Sequence, residues 1–117
     1  MYNALCRNVE TELFPAIHEL GIRFYAFNPL AGGLLAGKQL NYDEDPEPGR
    51  FARLKSYRDR YWKQSYFDAL IEIKNACDIE NIPMVEAAYR WLVNHSMMKA
   101  KLGDGILLGA SRIEQME

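Results

Sequence analysis

A helical pattern that runs into a short aromatic strand through one glycine restricts the fold of this chain more than any other feature. Val9, Leu13, Ile17 and Leu20 recur at helical spacing, with Glu10, Glu12 and Glu19 on other faces. Gly21 follows, where a left-handed residue can close a helix without steric cost. Residues 22–27, bounded by Gly21 and by Asn28-Pro29, are short and aromatic-rich, and read as a buried strand. This is the return half of a βαβ unit, so a parallel sheet is expected. Pro15 has no N–H and crowds the preceding turn, so the helix either starts only a turn before it or bends there.

Downstream the pattern changes. From residue 28 to about residue 60 both the helical and the strand period fail, and Gly32-Gly33, Gly37 and Asp45-Pro46-Glu47-Pro48-Gly49 follow in quick succession. Leu34, Leu35, Phe51, Tyr57 and Tyr61 are not the residues of a solvated linker, which favours a folded-over functional loop. A second helix is expected over residues 66–77, with Phe67, Leu70, Ile71, Lys74 and Cys77 in register. A third is expected over residues 84–94, opened by Pro83 and striped by Val85, Ala88, Tyr89 and Leu92. Residues 104–109 read as a second buried strand. Ser111 and Glu114 have the spacing of a capping box, so a helix is expected to begin there, and the chain stops almost at once. It reads as cut.

Composition excludes more than it assigns. The 117 residues fit one domain at most. A formal net charge of −2 gives no reason to expect nucleic acid or an anionic membrane as partner. No stretch approaches the ~20 apolar residues of a membrane span, and the first residues lack the pattern of a signal peptide. Cys6 and Cys77 make neither a disulfide framework nor a zinc site, and His18 and His95 have no ligand at metal spacing. A cytoplasmic protein with reduced thiols and no metal is the expectation.

Two places join a strand directly to a glycine-containing turn. The first is Tyr25-Ala26-Phe27-Asn28-Pro29-Leu30-Ala31-Gly32-Gly33-Leu34-Leu35-Ala36-Gly37-Lys38. The second is Ile106-Leu107-Leu108-Gly109-Ala110-Ser111-Arg112-Ile113-Glu114-Gln115, with Met116-Glu117 after it. Glycines there let backbone N–H groups approach an anion closely, and a helix start adds its positive end. Neither is a GxGxxG fingerprint nor a P-loop, so from the pattern alone each is either an anion-binding turn or simply a turn.

Taken together and in order, these segments resemble the aldo-keto reductase family. The first glycine segment is similar to the stretch after the seventh barrel strand. Arg50-Phe51 with Tyr57-Arg58-Asp59-Arg60-Tyr61-Trp62 resembles the subgroup of aflatoxin-aldehyde and succinic-semialdehyde reductases. Glu86-Ala87-Ala88-Tyr89-Arg90-Trp91-Leu92 resembles the penultimate helix, and Leu107-Leu108-Gly109-Ala110-Ser111 with Glu114-Gln115 the eighth strand and the helix after it. Tyr2-Asn3 and Val9-Glu10-Thr11-Glu12-Leu13-Phe14-Pro15 match the end of strand six and helix six.

The resemblance implies an α/β fold, a partial (β/α)₈ TIM barrel from the end of strand 6 to the start of the last helix. Residues 1–117 would then be the carboxy-terminal part of one such domain, incomplete at both ends, since a whole barrel typically needs about 250 residues. It implies reduction of an aldehyde or ketone by NADPH without a metal. The family's catalytic tetrad of Asp, Tyr, Lys and His would precede Tyr2, so no catalytic residue is assigned here, and Tyr2, Tyr25 and Tyr57 are not substitutes. The family's arginine-bearing tail and the asparagine after Glu-Gln are missing.

What the resemblance carries over is binding. Phe27 takes the place of the aromatic, usually Tyr, that stacks on the nicotinamide ring; from burial logic it is instead a core aromatic. Residues 28–38 would wrap the pyrophosphate, with Lys38 opposing its charge unless it is a surface lysine, and Arg50 would close the long loop over it. Residues 109–117 would hold the adenosine end, with Arg112 facing the 2′-phosphate or standing in solvent. Tyr57 and Arg60 match positions that reach the substrate, where an arginine can fork onto a carboxylate. Arg53, Lys55 and Arg58 leave a basic exposed face equally open. The resemblance leaves room for a homodimer of the intact enzyme. It also leaves open a non-catalytic module, as in the potassium-channel β subunits that resemble the fold, or a truncated product without activity.

Overall fold

The computed structural model describes residues 1–110 together with Ile113. Helix α1 spans Leu13–Glu19, starting two residues before Pro15, so the missing proline N–H falls in the first turn where no intrahelical acceptor waits. Residues 9–12 belong to the turns before it. At its other end the Gly21 N–H donates to the His18 carbonyl (3.3 Å) and the Ile22 N–H to that of Ile17 (2.8 Å). Gly21 sits at φ +67°, so the helix is closed by a Schellman motif.

Strand β1 is Tyr25–Ala26 and β2 is Gly105–Ile106. They pair in parallel, Tyr25 opposite Gly105 and Ala26 opposite Ile106, as the glycine-joined helix and strand require. Both are shorter than the expected runs of residues 22–27 and 104–109. The ladder extends only from the Gly105 N–H donating to Phe24 (2.9 Å) to the Leu107 N–H donating to Ala26 (2.8 Å). On the other edge of β1 the Tyr2 N–H donates to the Phe27 carbonyl (3.3 Å). The second strand was expected to be buried; Leu107 and Leu108 are instead 53% and 58% exposed, because among the described residues nothing packs against that side.

The stretch read as aperiodic contains regular structure. Ala31–Ala36 forms short 3₁₀ turns broken at Gly32 and Gly33, α2 spans Arg50–Arg53 and α3 spans Lys55–Tyr61. Helices of one or two turns are too short for a 3.6-residue repeat to show. The segment folds over, as its apolar content required: Leu34, Leu35, Phe51 and Tyr61 are buried. Helix α4 runs Gln64–Ile79, two residues past the expected end, and closes with Asn81 at φ +52° in the role Gly21 plays for α1. Helix α5 is Met84–Asn94, as its periodicity predicts.

Two apolar clusters hold these elements. One joins Leu34, Leu35, Phe51 and Tyr61 to Phe67 and Leu70 of α4 and to Met84 and Ala88 of α5. The other lies on the sheet, where Tyr2, Phe14, Ala26 and Leu92 pack together, with Phe14 5.0 Å from the Tyr2 ring and 4.6 Å from that of Phe24.

Candidate functional site

The segment after β1 is built around backbone that most residues avoid. Asn28 (φ +58°), Ala31 (+51°), Gly32 (+72°), Gly33 (+117°) and Gly37 (+71°) all lie in the left-handed half of conformational space, which side chains disfavour and glycine tolerates. Two of the glycines are also needed for space. A Cβ on Gly32 would stand 2.9 Å from the Tyr57 ring, and one on Gly37 2.5 Å from the Met84 sulfur. The turns are tied by Ala31 N–H to Asn28 (3.0 Å), Gly33 N–H to Leu30 (2.9 Å) and Gly37 N–H to Leu34 (3.0 Å).

These turns form one wall of a cleft of about 130 Å³, whose other side comes from Lys38, Gln39, Glu47, Pro48, Gly49 and Arg50. That volume is well below the ~300–1,000 Å³ of a whole small-molecule site. Lys38 and Arg50 are exposed, and among the described residues neither is paired with a carboxylate. The Arg50 guanidinium lies 5.0 Å over the Tyr57 ring, and that of Arg60 5.8 Å from the same ring, both within cation–π range. Of the two residues expected near a substrate, Tyr57 thus rests against the glycine turn and Arg60 shares its ring with Arg50. Of the basic neighbours that kept a solvated face open, Lys55 is spent on Asp59 (2.7 Å).

Phe27 is 48% exposed, so among the described residues it is not a core aromatic. The side-chain nitrogen of the next residue, Asn28, is buried near the Tyr61 phenol and makes no well-formed hydrogen bond. Tyr61 is fully buried and donates to the Met1 sulfur (3.2 Å). Burial, followed by the charge of Cys6, pushes its phenol up to about 12, so it stays neutral.

Because β1 and β2 are parallel, residue 27 onward and residue 107 onward leave the same end of the sheet, as the two glycine segments were expected to do. Gly109 and Ala110 are exposed there, and Ile113 is 78% exposed. Ser111, Arg112, Glu114, Gln115, Met116 and Glu117, with the cap expected at Ser111, lie outside the described residues. Among the described residues no helix is long and apolar enough to cross a membrane, and no three His, Cys, Asp or Glu side chains converge on one point.

Sequence reasoning passed over Asn3. It is fully buried, and its amide donates to the Asn28 carbonyl (2.8 Å) from twenty-five residues away. A single asparagine carries no periodic signal, and only its place beside Tyr2 at the end of a family motif drew attention to it.

The sequence profile of the aldo/keto reductase family matches residues 1–117. The chain belongs to the aldo/keto reductase family. It is 44% identical to human aflatoxin B1 aldehyde reductase member 2 over all of this chain and 35% of that protein. It is 45% identical to human aldo-keto reductase family 7 member A3, again over all of this chain and 38% of that protein. An aldo-keto reductase of Pseudocercospora fijiensis (strain CIRAD86) shares 41% over 99% of this chain and 40% of its own length. The chain therefore spans little more than a third of the length of these aldo/keto reductases, and its resemblance to the aflatoxin-aldehyde reductase subgroup extends over that whole span.

Proposed function

We propose that the chain supplies the NADPH-binding end of an aldo/keto reductase barrel, with β1 and β2 as its seventh and eighth strands and Met1 to Asn3 closing the sixth. The observation that carries this reading is the parallel pair, which sends two glycine segments out of one end of the sheet in the manner of a (β/α)₈ active face. The residues present fit the cofactor's anionic and aromatic parts. The cleft beside Gly32 and Gly33 is flanked by the cations Lys38 and Arg50, with Glu47 also on its wall. The half-exposed Phe27 ring would suit a stacked planar ring.

When bound, NADPH supplies a hydride to the carbonyl carbon of an aldehyde or ketone. In this reading Phe27 would stack on one face of the nicotinamide and leave the other open to the substrate. Lys38 and Arg50 oppose the pyrophosphate charge, and Arg50 pins the strap of α2 and α3 over it. Arg112, with residues 109–117, would face the adenosine 2′-phosphate. Arg60 would fork onto a substrate carboxylate, as a semialdehyde acid carries. The tetrad that protonates the carbonyl lies before Tyr2 in this reading, so the chain alone binds cofactor without turning over.

Titration of the chain with NADPH and with NADH, followed by nicotinamide fluorescence, tests the reading. Saturable NADPH binding that outcompetes NADH is expected, with no oxidation of NADPH in the presence of a simple aromatic aldehyde. Absence of NADPH binding would sink the cofactor assignment, and turnover would sink the assignment of the tetrad.

A further inference from the structure

We propose that Asn3 is a positioning residue for the cofactor loop, holding from outside a turn that its own sequence does not favour. The inference rests on the cofactor reading above for its consequence, but its geometry stands apart from it. Of the residues that begin the loop, Asn28 and Ala31 adopt left-handed backbone without being glycine. Asparagine visits that region more readily than most residues, whereas alanine has no such dispensation. A turn of this kind persists only where its surroundings over-determine it.

Those surroundings are supplied at the Asn28 carbonyl. It accepts the Ala31 N–H from within the turn (3.0 Å) and the Asn3 amide from across the chain (2.8 Å), which uses both of its lone pairs. The other end of the Asn3 side chain is equally committed, its oxygen accepting the N–H groups of Leu5 (3.0 Å) and Cys6 (2.9 Å). One residue earlier the Tyr2 N–H donates to the Phe27 carbonyl (3.3 Å). Two consecutive carbonyls, those of Phe27 and Asn28, are thus gripped by two consecutive residues, Tyr2 and Asn3. An asparagine is costly to bury unless its polar atoms are paired, and these are, with three bonds. An apolar residue of the same size would fill the space at less cost but leave the turn untied. Asn3 therefore sets where the Phe27 ring and the unpaired Asn28 amide stand, without touching a ligand itself.

Two variants separate this from a general structural role. Asn3→Asp keeps the acceptor for Leu5 and Cys6 but loses the donor to Asn28; Asn3→Leu is uncharged and loses both. Without nucleotide, amide hydrogen exchange at Ala31 and Gly33 is expected to quicken about tenfold in both variants, the size of one lost hydrogen bond. With nucleotide, NADPH is expected to bind about tenfold more weakly to both, while 2′,5′-ADP, which lacks the nicotinamide end, keeps its affinity. Unchanged exchange at Ala31 and Gly33 overturns the proposal, as does an equal loss for NADPH and 2′,5′-ADP. A loss confined to Asn3→Asp also overturns it, since that would be charge repulsion. If the unaltered chain binds neither nucleotide, the cofactor reading fails, and the exchange measurement still decides whether Asn3 holds the turn.

Discussion

The two ends of the small parallel sheet use their polar groups in opposite ways. At the end where the strands begin, Asp104 stands just before β2 with its carboxylate fully buried. It accepts the N–H groups of Phe24 (2.8 Å) and Lys99 (2.7 Å) and meets the His18 ring nitrogen at 3.0 Å. With the Schellman closure of α1 beside it, this end joins helix and both strands through groups that all have partners. At the end where the strands finish, Phe27 is half exposed and the buried Asn28 side-chain nitrogen makes no well-formed hydrogen bond. Lys38 and Arg50 there stand unpaired among the described residues. Apart from the bonds by which Tyr2 and Asn3 hold the Phe27 and Asn28 carbonyls, the second end leaves more of its polar groups without a protein partner than the first. Substitutions at the first should therefore appear in stability, and those at the second in binding.

Asp104→Ala is expected to have the largest effect, about 3 kcal/mol of lost stability, because it leaves two backbone donors and His18 without their acceptor. Chemical denaturation measures this, and the NADPH affinity of the folded fraction should not change. Burial opposes ionisation of Asp104, but the Lys99 and Phe24 N–H groups, with His18, outweigh it and hold the carboxyl below its usual range. A depressed carboxyl contributes stability that is complete above its unfolded pKa of ~3.9 and is lost as the pH falls through its lower folded value. The gap between the parent chain and Asp104→Ala should thus narrow below about pH 4. A gap that stayed constant into strong acid would mean that the carboxylate is not what closes this end.

Gly32→Ala tests the opposite end and blurs the division on purpose, since Gly32 both adopts left-handed backbone and touches the Tyr57 ring. A left-handed alanine with a Cβ 2.9 Å from that ring is expected to cost about 2 kcal/mol. NADPH affinity should fall with it, because the displaced ring carries Arg50. Retained affinity in a destabilised Gly32→Ala chain would show that the glycine serves packing alone.

How much of this was legible in the sequence follows from how far each determinant reaches. Gly21 and the aromatic run after it act locally, so the helix closure and the parallel pairing could be read directly, as could α5 with its proline start and unbroken stripe. The strap was harder, because α2 and α3 are one or two turns long and owe their form to Phe51 and Tyr61 finding a core. The length of β2 was overread for a related reason: Leu107 and Leu108 look like core residues, and whether they are depends on what faces them. Among the candidate site residues, the glycines and Phe27 were picked out by a family pattern. Asn3 and the Asp104 network did not, being single polar residues whose partners lie 25 and 80 positions away, a separation at which no spacing rule operates.

The finest test of the division lies within the strap, where Arg50 and Arg60 share the Tyr57 ring at 5.0 and 5.8 Å. Two guanidiniums on one ring repel each other unless an anion lies between or beside them, and the cleft runs along Gly49 and Arg50. Only Arg50 lines it. Arg50→Met, which keeps the apolar stem and removes the charge, should weaken NADPH about tenfold with little change in stability, and should flatten the dependence of binding on salt. Arg60→Met should change NADPH affinity by less than about twofold, the size of an exposed charge acting at a distance. Fluorescence titration at two ionic strengths separates these outcomes. Equal losses would merge the arginines into one anion site and remove the reason for assigning Arg60 to a substrate carboxylate. A loss at Arg60 alone would move the anion out of the glycine cleft altogether.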